Sequence, residues 1–261
     1  MGTVSVSRAV SRGIGGVDSR PGWDPGVDIV GDGIPPAQFT EAMADPANKE
    51  LIAVGDQLHT GYVTMNVTMT PFDKVEVRQA VNMAINKDRI VKIINNRAVP
   101  ASQALPPAMP GYNPDNKGYA FDPDGAKALL AKAGLADGFT TELYAMNVDP
   151  NPRIAAVGIK VEIKAIAQAE VIAAGGSGKA PMIWSGGMAW IADFPDPNNF
   201  YYGILGCAGA VDGGWNWSRY CNKALDDRGN AADALVKPEQ GAERAKLWMG
   251  IFDDVVKDAP W

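Results

Sequence analysis

The chain has 261 residues, 46% of them hydrophobic, enough to build one large domain, or one and a half, around a real core, which argues against disorder over most of its length. Its formal net charge of -6 produces a long-range field that repels phosphate backbones and anionic lipid, so nucleic acid is a poor partner class. No stretch approaches the roughly 18 uninterrupted apolar residues of a membrane span, and direct membrane insertion is not expected.

Residues 1–26, rich in Gly, Ser and Arg and including SRPGWDPG, read as a loose tail whose order would have to come from docking. They also lack the apolar segment of a secretory signal, as a processed or recombinant chain would. From Val27 the texture changes. VDIV reads as a short strand, GDGIPP as a turn, and AQFTEAMADPANKELI as a helix interrupted at Asp45-Pro46, because proline disfavours helical geometry in the residue before it. Gly61 to Met69 (GYVTMNVTM) combines β-branched and aromatic residues and reads as a strand. The next segment carries Asp73 and Glu76 at capping-box spacing. Val77, Ala80, Val81, Ala84, Ile85, Val91 and Ile94 then recur at helical spacing, with a break at Asn86. Arg78, Lys87 and Arg89 on the other face are expected in solvent.

VPASQALPPAMPGYNP, 99–114, is too rich in proline for regular structure. Asp122-Pro123 supplies an N-cap and a proline at the first helical position, and Gly134 a left-handed stop, so a helix is predicted over 122–133. TTELYAM (140–146) and GIKVEIKAI (158–166) alternate as strands. The stretch from Asn147 to Gly158, where the second strand begins, is only twelve residues long, whereas a parallel crossover needs a dozen or more that are mostly helix. Either the pairing is antiparallel or a segment is missing. PMIWS (181–185) reads as a buried strand, followed by the loop GGMAWIADFPDPNNF. The remainder is helical over 222–235 and 238–257, the latter with an apolar stripe of Ala245, Trp248, Phe252 and Val255.

The chain has two cysteines, Cys207 and Cys221, and one histidine, His59, too few for the usual zinc ligand sets. No metal or cofactor is expected. Joining the cysteines would close a loop worth about 3 kcal/mol and would indicate an oxidising compartment; the alternative is two separate buried thiols. Ser185, His59 and an aspartate can be drawn as a hydrolytic triad. A nucleophile elbow requires Gly two residues before the serine, where Ile183 stands, so no catalytic role is expected. GGSGK, 175–179, lacks phosphate-loop spacing and reads as a loop tip.

An ordered set of segments carries a resemblance: VDIVGDGIPP, YVTMNVTMTPFDKVEVRQAVNMAINKDRIV, LPPAMPGY, YAFDPDGAKALLAKAG, VGIKVEI, WIADFPDPNNF, YCNKALD and DAPW. Together, over about residues 27–261, they resemble the bacterial solute-binding proteins that serve peptide and nickel ABC importers. The resemblance implies an α/β fold, a periplasmic-binding-protein-like lobe with a mixed sheet flanked by helices. It covers mainly the second lobe of a two-lobed clamshell, with hinge-proximal segments at both ends. Most of the first lobe has no counterpart, and a helix of roughly two turns usual between Ile154 and Val157 is lacking, so the chain looks truncated.

The implied function is non-catalytic binding of a small peptide or related solute for an ABC permease, in the periplasm or outside the cell. In this family an aspartate in a Trp-x-x-Asp-aromatic loop holds the peptide amino group, and WIADF carries that role onto Asp193, with Trp190 as its wall. A shielded carboxylate makes charge-assisted hydrogen bonds to an ammonium, and an indole can face a cation. The bland alternative has Asp193 capping a turn and Trp190 in the core. Backbone groups of Gly186, Gly187 and Met188 would pair with an extended peptide unless they form a plain turn. Trp215, Trp217 and Tyr220 would line the cleft or pack over their own disulfide. Asp196, Asn198 and Asn199 are expected to build a turn rather than touch ligand. A lobe without its counterpart would expose apolar surface that tends to self-associate.

Overall fold

The computed structural model describes residues 2–4, 8–10, 28–30, 36–48, 58–147, 161–185 and 190–261. The first elements are the strands β1 (Gly2–Val4), β2 (Arg8–Val10) and β3 (Asp28–Val30), then helix α1 (Pro36–Ala44). α1 ends where the sequence requires it, before Asp45-Pro46; the Asp45 carboxylate accepts the Ala47 amide at 2.9 Å and starts a single 3-10 turn. The turn read over GDGIPP lies mostly outside the described residues.

Next come β4 (His59–Thr60), β5 (Val63–Met65), α2 (Val75–Ala84), α3 (Lys87–Ile93), β6 (Ala98–Pro100) and α4 (Pro123–Lys132). β5 is shorter than the alternation over 61–69 suggests. Asn66 closes it: its side-chain oxygen accepts from the backbone and hydroxyl of Thr68 at 3.1 and 2.7 Å, a local turn that competes with the ladder. The capping box at Asp73 is not formed; Lys74 occupies the N-cap and makes no side-chain cap bond. The break at Asn86 is real, since Asn86 caps α3 by accepting the Arg89 amide at 2.9 Å.

Arg78 is not solvated as expected but 7% exposed. Its guanidinium donates to the carbonyls of Phe72 (2.7 Å) and Asp258 (2.9 and 2.6 Å), which fastens α2 to the end of the chain's last helix. Lys87 likewise donates to the Ala101 carbonyl at 2.9 Å, and burial lowers its pKa. Gly2–Val4 pairs antiparallel with Ala98–Pro100 and Arg8–Val10 with Asp28–Val30. Part of the expected loose tail is therefore strand, with its order supplied by docking, and the expected irregular loop begins with two paired residues. α4 starts on Asp122, which accepts the Gly125 amide at 2.9 Å, and Gly134 follows it with φ +80°.

The second half contains β7 (Glu142–Met146), β8 (Glu162–Ile166), α5 (Gln168–Gly176), β9 (Met182–Trp184), β10 (Trp190–Ile191), α6 (Pro197–Tyr201), α7 (Lys223–Asp233) and α8 (Gly241–Asp258). One four-stranded mixed sheet has the order β5-β9-β7-β8. β5 runs antiparallel to β9, while β7 is parallel to both β9 and β8. This settles the pairing of 142–146 with 162–166 as parallel, in the register Glu142 to Glu162. Val63, Met65, Leu143, Ala145, Met182 and Trp184 pack with α2 and α3 side chains such as Val77, Val81 and Ile90. A second cluster gathers Tyr62, Phe200, Tyr201, Trp248, Phe252 and Val255, so three of the four α8 stripe residues are core and Ala245 is half-buried. Among the described residues no helix is long and apolar enough to cross a membrane.

Candidate functional site

Ser185 is tied to the backbone of Tyr62. The Ser185 amide donates to the Tyr62 carbonyl at 2.9 Å; the Ser185 hydroxyl donates to the same carbonyl at 2.8 Å and accepts the Tyr62 amide at 3.0 Å. A hydroxyl engaged in this way extends the ladder past the end of β9 and is directed at backbone, not at His59. Tyr62 stacks on Trp261 with ring centroids 3.9 Å apart, and burial raises its pKa. The chain re-enters at β10, where Trp190 pairs with Thr60 and Ile191 with His59, and the Ala192 amide reaches the Leu58 carbonyl at 2.8 Å. β4 and the end of β9 thus hold the WIADF loop over an open groove of about 360 Å³ lined by Tyr62, Ser185, Trp190, Ile191, Asp193, Trp215 and Trp217.

Asp193 is exposed and lines this groove. Among the described residues no lysine, arginine or histidine forms an ion pair with its carboxylate. Its described partner is Asn199, whose side-chain Nδ2 donates to Asp193 Oδ2 at 3.0 Å. Asn199 Oδ1 accepts the Trp190 Nε1–H at 2.9 Å and the Asp193 amide at 3.3 Å. Trp190 is half-buried against the core, with Gly203 beneath its ring: a Cβ there would lie 3.1 Å from the indole. The indole is wall and core at once.

Behind the loop, Asp196 caps α6 by accepting the Asn198 amide at 3.0 Å, the turn that its sequence position predicts. It also meets Arg244 of α8 at 2.6 and 2.8 Å, and Arg244 reaches Asp233 of α7 at 2.5 Å. These hydrogen bonds, first of all the one Arg244 donates to Asp196, raise the pKa of Arg244. Asn198 adds a bond to Asp233 at 3.0 Å, so an ionic hub anchors the far end of the loop to two helices.

The opposite wall is aromatic. Trp215 is 48% exposed, Trp217 is 4% exposed, and their ring centroids are 5.7 Å apart. Trp217 can lie flat on α5 because Gly175 has no side chain: a Cβ there would stand 2.5 Å from the ring. The two indoles also border a neighbouring open groove of about 480 Å³ floored by the end of α5, with Lys179 and Asp212 among its lining. Tyr220 does not join them; its hydroxyl bonds the Asp258 carboxylate inside the fold. Cys207 and Cys221 form the disulfide that closes the segment containing both tryptophans. Gly186, Gly187 and Met188 lie outside the described residues.

The sequence reading therefore named four groove residues, Asp193, Trp190, Trp215 and Trp217, that the fold brings together, and missed Tyr62, Ser185 as lining, and Asn199. A shared side-chain bond six residues apart leaves no periodic trace in sequence. Chemically, the groove offers one anionic acceptor beside apolar indole faces, which suits a small cationic end group on an otherwise apolar or extended molecule. Among the described residues no group of three or more His, Cys, Asp or Glu is placed to hold a metal ion.

Residues 26–212 match the model of bacterial extracellular solute-binding proteins, family 5. The chain is 38% identical to the dipeptide-binding protein of Escherichia coli K12 over 71% of its own length and 35% of that protein. It is 32% identical to heme-binding protein A of Haemophilus influenzae, over 86% of this chain and 42% of that one. In structure it is similar to a periplasmic binding protein associated with an ABC transporter from Helicobacter pylori, solved with the peptide STSA. The TM-score is 0.78 at 28% identity, covering 87% of this chain and 45% of the other. A dipeptide-binding protein from Pseudoalteromonas sp. SM9913, solved with Met-Leu, gives a TM-score of 0.72 at 26% identity, over 86% and 45% of the two chains. The chain thus spans under half the length of these relatives.

Proposed function

The chain belongs to the bacterial extracellular solute-binding proteins, family 5, and from that membership we propose that it binds a small peptide by its free amino group for delivery to an ABC permease. Binding is reversible and involves no chemical step, and the protein acts in the periplasm or outside the cell. The observation that carries the reading is the Asp193 carboxylate, facing an open groove between Trp190 and the Trp215–Trp217 pair, without a described cationic partner. Peptide-bound relatives support the ligand class.

In this reading Asp193 accepts the ammonium, Trp190 walls it from water, and Trp215 and Trp217 take up the side chains that follow. Calorimetry with di- to pentapeptides tests it. Heat of binding should appear for the unmodified chain and fall by about 10- to 100-fold in affinity for Asp193→Asn, the loss of one charge-assisted interaction of about 1.5–3 kcal/mol. Equal affinity in both proteins would end the assignment.

A further inference from the structure

We infer that Asn199 is the positioning residue of the groove: its amide sets the orientation of the Asp193 carboxylate and so governs selection of a free amino group. The inference rests on the reading of Asp193 as ammonium acceptor and asks what holds that carboxylate in a usable pose. Asp193 is exposed, and an exposed carboxylate without a fixed partner samples several rotamers, each of which dilutes its encounter with a ligand cation.

Asn199 removes that freedom with both ends of its side-chain amide. Its Oδ1 receives two donors, Trp190 Nε1–H at 2.9 Å and the Asp193 amide at 3.3 Å, so the amide cannot flip without placing its NH2 group against two N–H donors. With Oδ1 so fixed, Nδ2 faces the Asp193 side chain and donates to Oδ2 at 3.0 Å. That bond takes one carboxylate oxygen and leaves Oδ1 available to an incoming ammonium. Asn199 is itself held: it sits in α6, whose cap Asp196 is clamped by Arg244. The rigid part of the site thus runs from α8 through Arg244, Asp196 and Asn199 to Asp193, and Trp190 is locked by the same amide.

Ligand selectivity separates this role from a merely stabilising one. A stabilising residue lowers affinity for every ligand in proportion, whereas a residue that aims Asp193 acts only on ligands that carry the ammonium. The experiment measures affinity by calorimetry for Ala-Ala and for N-acetyl-Ala-Ala with the unmodified chain, Asn199→Leu, Asp193→Asn and the double variant, with a circular dichroism melt to establish folding. The unmodified chain should prefer the free amine, and Asn199→Leu should reduce that preference about tenfold while leaving affinity for the acetylated peptide within about twofold. In the Asp193→Asn background, Asn199→Leu should cause no further change in the preference, because the two residues act through one interaction.

Trp190→Phe serves as a second variant should Asn199→Leu fail to fold: it keeps a smaller aromatic wall and removes the Nε1–H that fixes the Asn199 amide, and the preference should again fall. A preference lost in Asp193→Asn but intact in Asn199→Leu, or in Trp190→Phe where that variant decides, overturns this inference and leaves the Asp193 assignment standing. Additive losses in the double variant also overturn it. No preference in the unmodified chain removes the Asp193 assignment, and the role of Asn199 with it.

Discussion

At Gly175 a missing side chain decides what the aromatic wall can be. On an open helix face, glycine to alanine gains about 1 kcal/mol from helix propensity. Here the added Cβ would stand 2.5 Å from the Trp217 ring, so overpacking reverses the sign. Gly175→Ala should destabilise the fold by about 1–3 kcal/mol, read as a lowered melting temperature; an unchanged or raised one would mean that the indole does not rest on α5. The same scale shows how much of the site sequence can disclose. Asp193 and Trp190 are legible because WIADF is a local motif. Tyr62 and Ser185 are not, because they meet across 123 residues through a backbone and hydroxyl exchange. Arg78 reads as a surface charge from its spacing and is buried because the carbonyls of Phe72 and Asp258 receive it.

At the scale of elements, residues with strong local chemistry are legible and weakly patterned ones are not. α4 carries its own start and stop in Asp122, Pro123 and Gly134. α5 has alanine, Ala167, at its N-cap and an apolar composition without a clear stripe, so it passes unnoticed beside the readable strands. β5 stops early because the Asn66 turn, invisible to an alternation count, takes over. The disulfide Cys207–Cys221 closes the segment that carries Trp215 and Trp217. Replacing both cysteines with serine should cost about 3 kcal/mol, and denaturant melts of the two proteins measure it; coincident melts would contradict a stabilising role.

α7 and α8 are linked by Arg228 and Asp254 at 2.5 Å, and within α8 Lys257 meets the same carboxylate at 2.7 Å. Hydrogen bonds from Arg228, then Lys257, hold the Asp254 carboxyl below the usual aspartate range. A folded value beneath the unfolded one gives a contribution that is complete above the unfolded pKa and is lost as pH falls through the folded value. Arg228→Ala should therefore be less stable than the parent at neutral pH, with the gap closing on acidification. Both groups are more than a third exposed or close to it, so the gap should be small and shrink in salt. A gap constant with pH would contradict the linkage.

For the whole molecule, charge and composition exclude classes, and the order of motifs gives the family that the comparisons establish. Around the groove, Ile191 and Phe194 are each 50% exposed and Trp215 is 48% exposed, an apolar rim of the kind that marks an interaction surface. This rim is expected to make the chain self-associate, and light scattering should show an apparent mass that rises with concentration and falls on adding dipeptide. A monomer mass at all concentrations would contradict that expectation.

The central claim is that the groove between Trp190 and the Trp215–Trp217 pair receives a peptide amino group on Asp193. A crystal structure of the chain with a bound dipeptide tests it most directly. The account predicts the ammonium nitrogen within hydrogen-bond distance of Asp193 Oδ1, with Asn199 still donating to Oδ2. A dipeptide bound away from the groove, or seated in it with its amino group turned from Asp193, would contradict the account.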